Sequence, residues 1–391
     1  MIRTITTEKK PIKLWLDDIE EGALTQAKNL ANLPFTFKHV AIMPDAHLGY
    51  GMPIGGVLAT EDVIIPNAVG VDIGCGMCAV QTSRTTIRPE ELKNIMALIR
   101  GEIPVGFKHH RKAQDSRLMP RPPAGHTLSG LPLVAREYEN GLTQLGTLGG
   151  GNHFIEIQRG DDGHIWIMIH SGSRNIGFQV ANHYNKVAIA LNAKWKSEIP
   201  PKWQLAFLPL SSETGQRYLA EMQFCVDFAL ANRKLMLERI QEIFLAVVSP
   251  VSFAPPINIA HNYARLELHF HKDVLVHRKG ATSARDGEVG IIPGSQGTKS
   301  TIVRGKGNRD SFASCSHGAG RIMGRKQAQR QLDLHAEIKK LDAQGIIHGI
   351  RGKRDLDEAS GAYKDIDKVL VAQADLVDVL VTLQPLAVIK G

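Results

Sequence analysis

Cysteine is scarce in this chain: 391 residues carry only Cys75, Cys78, Cys225 and Cys315. So few thiols, with no export signal, argue against a disulfide scaffold and for a reduced cytoplasmic protein with free thiols. Long apolar runs are missing too. No stretch reaches the roughly 18 apolar residues that a membrane span needs. The segment Met1 to Glu8 lacks the apolar core of a signal peptide. Neither an internal repeat nor a low-complexity linker breaks the sequence, and no clean domain boundary is visible.

What is present starts with charge. The net charge is +8, an excess that favours a polyanionic partner over a membrane surface, because no strongly basic amphipathic helix accompanies it. Basic residues cluster at Lys108 to Lys112, at Arg321 with Arg325, Lys326 and Arg330, and at Arg351 with Lys353 and Arg354. Any one cluster can be a solvated face. A basic rim beside a catalytic site would suit RNA or DNA, since phosphate contacts supply much of nucleic-acid affinity.

The chain is 43% hydrophobic, ample for a sizeable core. Apolar runs at Phe37 to Met43, Gly56 to Thr60, Val63 to Ile65 and Met77 to Thr82 read as strands. Phe154 to Gln158 and Ile165 to Ile169 read as a close pair turning at Gly160-Asp161-Asp162-Gly163. The middle is helical. Ser211 and Ser212 offer an N-cap, and Met222, Val226, Ala229, Met236, Ile240 and Ile243 recur at helical steps. Arg233 falls on that stripe, so it either snorkels to solvent or reaches into a site to bind phosphate. Strands return at Val274 to Val276, Gly290 to Ile292 and Thr301 to Arg304. Two helices follow, one opening at Gly318 and one over Ile366 to Leu383. Strands and helices interleave without a regular βαβ period, so the fold class is α+β.

Several segments could carry chemistry. Asp72 and Cys75 sit three apart on a glycine-containing segment, His153 and His170 lie in short polar, glycine-rich contexts, and His261 lies in Asn258-Ile259-Ala260-His261-Asn262-Tyr263. Thiolate, imidazole and carboxylate together suit Zn²⁺ or Mn²⁺, and five such residues suit a two-metal site. Cys75 and Cys78 also spell Cys-x-x-Cys, a zinc-knuckle or redox pattern, but no second pair accompanies them. Gly149-Gly150-Gly151-Asn152 can present consecutive N–H groups to an anion. Pro293 to Ser300 looks like a phosphate-binding P-loop, yet its glycine spacing is wrong and Thr298 interrupts the run. It remains a loop suited to nucleotide contacts. In Ser316-His317-Gly318-Ala319-Gly320-Arg321 a histidine stands among residues with little bulk, just ahead of the expected helix. Such a histidine is either a satisfied loop residue or a nucleophile that must let a phosphate approach.

Together these segments resemble the RNA-splicing ligase family known as RtcB. The likeness runs from Met43-Pro44-Asp45-Ala46-His47-Leu48-Gly49 through Val71 to Met77, Gly151 to Glu156 and His170 to Arg174. It continues through Arg278 to Ala281, Pro293 to Ser295, Ser316 to Arg321 and Ala362 to Asp367, and ends at Lys390-Gly391. The resemblance implies one large α+β catalytic domain over residues 1–391, two Mn²⁺ per active site and GTP as cosubstrate. It implies an enzyme that joins RNA bearing a 3′-phosphate or 2′,3′-cyclic phosphate to RNA bearing a 5′-hydroxyl, in tRNA splicing or RNA repair. By that likeness Asp72, Cys75, His153, His170 and His261 bind metal, with Cys75 bridging both ions, and His317 is the guanylylated nucleophile. Glu156 and Lys390 read the guanine. Asn152, Asn262, Gly294, Ser295, Ser300, Gly318, Ala319 and Gly320 line the nucleotide, and Arg174 and Arg321 hold the RNA. An activating protein partner is compatible with this scheme. The chain departs from the family's pattern at Ala260, where a second histidine often stands beside the metal-binding one, and at Tyr50 and in the loop Lys108 to Arg121, which bear on RNA specificity. Two other readings stand beside the ligase: a metal-dependent phosphoesterase that opens cyclic phosphates, and an RNA-binding protein without catalysis. Neither needs a guanylylation site or a guanine clamp.

Overall fold

The computed structural model describes residues 1–391. The segment Ile165–Ser171 is buried along its whole length, as a near-continuous apolar run covered on both faces should be. It pairs antiparallel with Phe154–Gly160, Ile157 opposite Ile167 and Phe154 opposite His170. Gly163 closes the expected turn by donating to the Gly160 carbonyl at 3.1 Å. These two strands belong to a seven-stranded sheet ordered Ile257–Ala260, Gly76–Gln81, Ile165–Ser171, Phe154–Gly160, Val377–Lys390, Ser300–Gly305, Val289–Ile292. The helix Glu213–Val248 lies on this sheet, with Met236, Ile240 and Phe244 packed among Ile155, Ile157, Ile167 and Ile169. It starts where the sequence marks it. Ser212 Oγ accepts from Gly215 N at 3.0 Å and satisfies a first-turn donor.

A second sheet has six strands, ordered Arg3–Ile5, Ile12–Leu14, Thr36–His47, Ile54–Thr60, Lys272–Lys279, Asn262–His269. The chain crosses between the sheets at one residue. Ile257–Ala260 ends one sheet, Asn262–His269 opens the edge of the other, and His261 stands between them. A third element meets this seam. The short strand Ser314–Ser316 pairs with Ala281–Ser283 and delivers His317 beside the end of Thr36–His47. The architecture is α+β with mixed sheets, as expected.

Two helix expectations are corrected. No helix opens at Gly318: Gly318 to Gly320 form an irregular loop, and the next helix is Arg325–Gln331. The loop is fixed by close approach. Gly320 has φ +76°, and a Cβ there would fall 2.2 Å from the Asp45 carbonyl oxygen. Ile366 to Leu383 is not one helix either. Helix covers only Ile366–Ala372, and Val377–Lys390 is a strand inside the seven-stranded sheet. Val377, Val379 and Val381 are β-branched and favour a pleated surface, and Gln373 ends the helix by turning inward, where its Oε1 accepts from Ser316 N at 3.0 Å.

Candidate active site

The loop before Gly76–Gln81 carries Asp72 and Cys75 and is bonded to the seam: Gly74 N donates to Asn262 O and His261 N to Cys75 O, both at 2.8 Å. His153 and His170 extend from the paired strands. Cys75 Sγ lies 3.4 Å from His153 Nε2 and 3.2 Å from His170 Nε2. His170 Nε2 is 3.3 Å from His261 Nε2, and His153 Nε2 is 3.1 Å from Asp72 Oδ2. All five expected ligands therefore meet in one cluster. Gly172 keeps room for it, since a Cβ there would stand 2.2 Å from Asp72 Oδ1.

The cluster's chemistry fits a metal. His170 Nδ1 donates to the Asn152 carbonyl at 3.0 Å, leaving Nε2 with its lone pair turned to the cluster. Burial, then neighbouring histidines, push His170 and His261 well below the usual imidazole range, which keeps them neutral as ligands must be. Burial raises the Asp72 carboxyl, but His153 and Arg174 outweigh it and hold Asp72 below its ordinary value. Burial and Asp72 push the Cys75 thiol well up, so a thiolate there needs a cation beside it. His261 Nδ1 is buried without a partner. Three neighbouring ligand atoms, from Cys75, His153 and His170, all lie within 4.8 Å of one another. Cys78 is elsewhere, packed among Val80, Ile155 and Ile169 in the core.

Arg233 does neither thing the sequence allowed. It is fully buried under the cluster, where Nη1 donates to Ser171 O at 2.7 Å and Gly74 O at 3.0 Å, and Nε to Asn258 Oδ1 at 2.8 Å. It staples the backbone that carries the ligands.

A cavity of about 810 Å³ opens above the cluster. Asn152, Glu156, His170, Gly294, Ser295, His317, Gly318, Ala319, Gly320, Arg321 and Lys390 line it. Asn262 and Ser300 stand behind its wall. Asn262 Nδ2 donates to Asp72 O and its Oδ1 accepts from Gly280 N, while Ser300 Oγ accepts from Gly294 N at 3.2 Å. Glu156 and Lys390 come from adjacent strands, Val388 facing Glu156 in the register. Burial pushes the Glu156 carboxyl up to about 8 against the pull of Lys390 and Gln158, and burial also lowers the Lys390 ammonium. Arg321 is engaged by protein: Nη1 meets Glu358 Oε2 at 2.8 Å, and Nη2 the Asp357 carbonyl. Arg174 lies against the cluster, Nη1 3.4 Å from His153 Nδ1.

Sequence reasoning gave Asp45 no role, and it is the main omission. Asp45 is fully buried, and its Oδ2 accepts from His317 Nδ1 at 2.6 Å and from His317 N at 3.1 Å. That bond fixes the tautomer and leaves Nε2 as the ring nitrogen with a free lone pair. The His317 ring is 4.8 Å from the His261 ring. The one signal was a carboxylate inside the apolar strand Thr36–His47, where a buried charge needs a partner. Glu358, which also holds Arg325 Nε at 2.7 Å, was missed as well.

A carboxylate-oriented histidine beside a cluster that could hold a metal, facing a cavity of about 810 Å³, has the groups that phosphoryl or nucleotidyl transfer would use. Comparison with known proteins gives its kinship. The model of the family described as tRNA-splicing ligase RtcB matches residues 26–123 and 126–391. RNA-splicing ligase RtcB1 of Escherichia coli is 40% identical over 407 aligned residues, covering 99% of both chains. RNA-splicing ligase RtcB of strain K12 is 39% identical over the same share. tRNA-splicing ligase RtcB of Thermococcus kodakarensis is 33% identical, covering 95% of this chain and 92% of its own. This chain belongs to the RtcB family.

Proposed function

We propose that the chain is an RNA ligase of tRNA splicing or RNA repair, working in the cytoplasm as one catalytic domain. It joins 3′-phosphate ends, or 2′,3′-cyclic phosphates once opened by water, to 5′-hydroxyl ends, with GTP as cosubstrate. The observation that carries this is His317: Asp45 holds its Nδ1 at 2.6 Å, and the residue borders the cavity beside the histidine cluster.

His317 Nε2 attacks the α-phosphorus of GTP, the α–β P–O bond breaks and pyrophosphate leaves. Asp45 steadies the ring as it gains positive charge. An oxygen of the RNA 3′-phosphate then attacks the same phosphorus, the P–N bond breaks and His317 is freed. The 5′-hydroxyl attacks the activated 3′-phosphate, loses its proton to solvent and expels GMP. Asp72, Cys75, His153, His170 and His261 would hold two Mn²⁺, whose charge draws electron density from the phosphate oxygens. Glu156 would accept from the N–H edge of guanine and Lys390 would donate to its O6. Asn152, Ser295 and the loop Gly318 to Gly320 border the nucleotide, with Asn262 and Ser300 bracing it from behind. Arg174, with Nη1 3.4 Å from His153 Nδ1, would hold the RNA 3′-phosphate.

With GTP and Mn²⁺, 3′-phosphate and 5′-hydroxyl RNA should be joined and His317 should gain the mass of one GMP. Efficient sealing of 3′-hydroxyl to 5′-phosphate ends, or a chain that only opens cyclic phosphates, would overturn this reading.

A further inference from the structure

One large aromatic side chain stands wholly clear of the protein. Phe107 is 102% exposed, at the tip of the loop that follows the helix Pro89–Glu102. Lys108, His109, Arg111 and Lys112 beside it are exposed as well. Nearby ion pairs join Arg117 to Asp115 and Arg239 to Glu102, leaving Lys108, Arg111 and Lys112 without a carboxylate. Isolated exposed aliphatic residues need no explanation. A phenyl ring in water among three unpaired cations is a different arrangement.

The tip is held in place at both ends. Val105 bridges Gly149 in parallel, Gly106 N donates to Gly149 O at 2.9 Å and Leu148 N to Pro104 O at 3.0 Å. Beyond the tip, His110 N donates to Thr143 O at 3.0 Å, and Arg239 Nη1 donates to His110 Nε2 at 2.8 Å. A Cβ on Gly150 would lie 3.6 Å from Gly106 Cα. The loop therefore rides on the glycine turn that runs into Asn152 and His153, the wall and floor of the site.

We propose that this tip is a landing platform for the single-stranded RNA that flanks the reacting ends. Phe107 stacks on one base, and Lys108, Arg111 and Lys112 take adjacent phosphates. The proposal rests on the RNA-ligase reading above and adds where the strand lies. Proteins that hold single-stranded nucleic acid combine aromatic faces with a cationic track, because every base has a π-face and every nucleotide a charge. A rigid tip costs little ordering entropy on binding.

The test uses the full chain and a fluorescent single-stranded RNA with a 3′-phosphate, read by anisotropy so that binding is scored whether or not ligation follows. Phe107→Ala should weaken binding about 5- to 100-fold, the range of a single base–aromatic stack. Phe107→Trp should restore it, and GMP loading of His317 should be the same in all three proteins. An abasic nucleotide walked along the RNA should weaken wild-type binding at one position and have no effect there in Phe107→Ala. Replacing Lys108, Arg111 and Lys112 by Gln should flatten the slope of log affinity against log salt by about 2, at roughly 0.7 per phosphate. Unchanged RNA affinity in Phe107→Ala overturns the proposal, as does Phe107-dependent binding to anionic vesicles with RNA affinity intact. A wild type that binds RNA through Phe107 yet joins no ends would sink the ligase reading and leave the platform standing.

Discussion

A thiol as deeply buried as Cys75 stays protonated unless a cation neutralises it. Cys75→Ala should therefore lose bound Mn²⁺, counted by elemental analysis, together with RNA sealing. Cys78→Ser should keep both and pay only in stability, about 1–3 kcal/mol for a hydroxyl in an apolar core, read from denaturant unfolding. Equal metal loss in the two variants would revive the Cys-x-x-Cys reading. His317→Ala should lose the GMP adduct, retain its metal, and still join RNA whose 3′ end is already activated with guanylate. If the adduct persists and the rate falls only about 10²–10³-fold, His317 merely positions phosphate. Asp45→Asn would leave the ring in place without its anion, and guanylylation should slow about 10²–10⁴-fold. Glu156 gives a pH signature. Its carboxyl titrates near 8 when folded against 4.5 as its ordinary value, so the folded chain binds more protons between those limits. The stability it supports is full below about pH 4.5 and lost as the pH rises through 8. The stability of wild type minus that of Glu156→Gln should fall across this window and level off above it. A flat difference would mean that Glu156 is ionised in the fold.

Elements, more than single residues, decide what could be read in advance. The helix Glu213–Val248 was legible because its stripe is long and its cap is a serine. The strands around His153 and His170 were legible because their apolar runs are short and bounded by a glycine turn. The C-terminal segment was misread because Val369, Leu370, Leu376, Val377, Leu380 and Leu383 fall at helical steps, while Val377, Val379, Val381 and Leu383 also alternate. Only packing between Phe154–Gly160 and Ser300–Gly305 settles it as a strand. The residues of the cluster were legible as types, most of them beside glycines, but nothing local announces that Asp45 and His317, 272 positions apart, form one pair. The loop after His317 was taken for a helix start, a place where glycine is tolerated as a cap though it disfavours the helix interior. Its glycines answer to a neighbour instead. Gly320→Ala would press a methyl group against the Asp45 carbonyl at a positive φ. Such a variant should fold, keep its metal and load GMP far more slowly. Normal loading would mean that the loop has slack.

At the scale of the molecule, Asp72, Cys75, His153 and His170 sit on or just before strands of the seven-stranded sheet, and His261 stands where the chain passes from it to the six-stranded one. A metal that binds only the assembled cluster should stabilise the fold by about 2.7 kcal/mol at a concentration 100 times its Kd. Thermal unfolding with Mn²⁺ should move as one transition, and the shift should vanish in Cys75→Ala. A shift confined to part of the signal would show that the sheets melt separately. The crossing at His261 also has a consequence in time. Asp45 and Asp72 leave the ribosome early, His261 and His317 much later, and Lys390 last of all. At about 5–20 residues per second, the early half of the site waits roughly ten seconds to a minute for its partners. Until Val377–Lys390 slots between its neighbours, the central sheet lacks an interior strand. On the proposed reading, a nascent chain stalled before that point would lack Lys390 and the strand beside Glu156, and such a fragment should load no GMP.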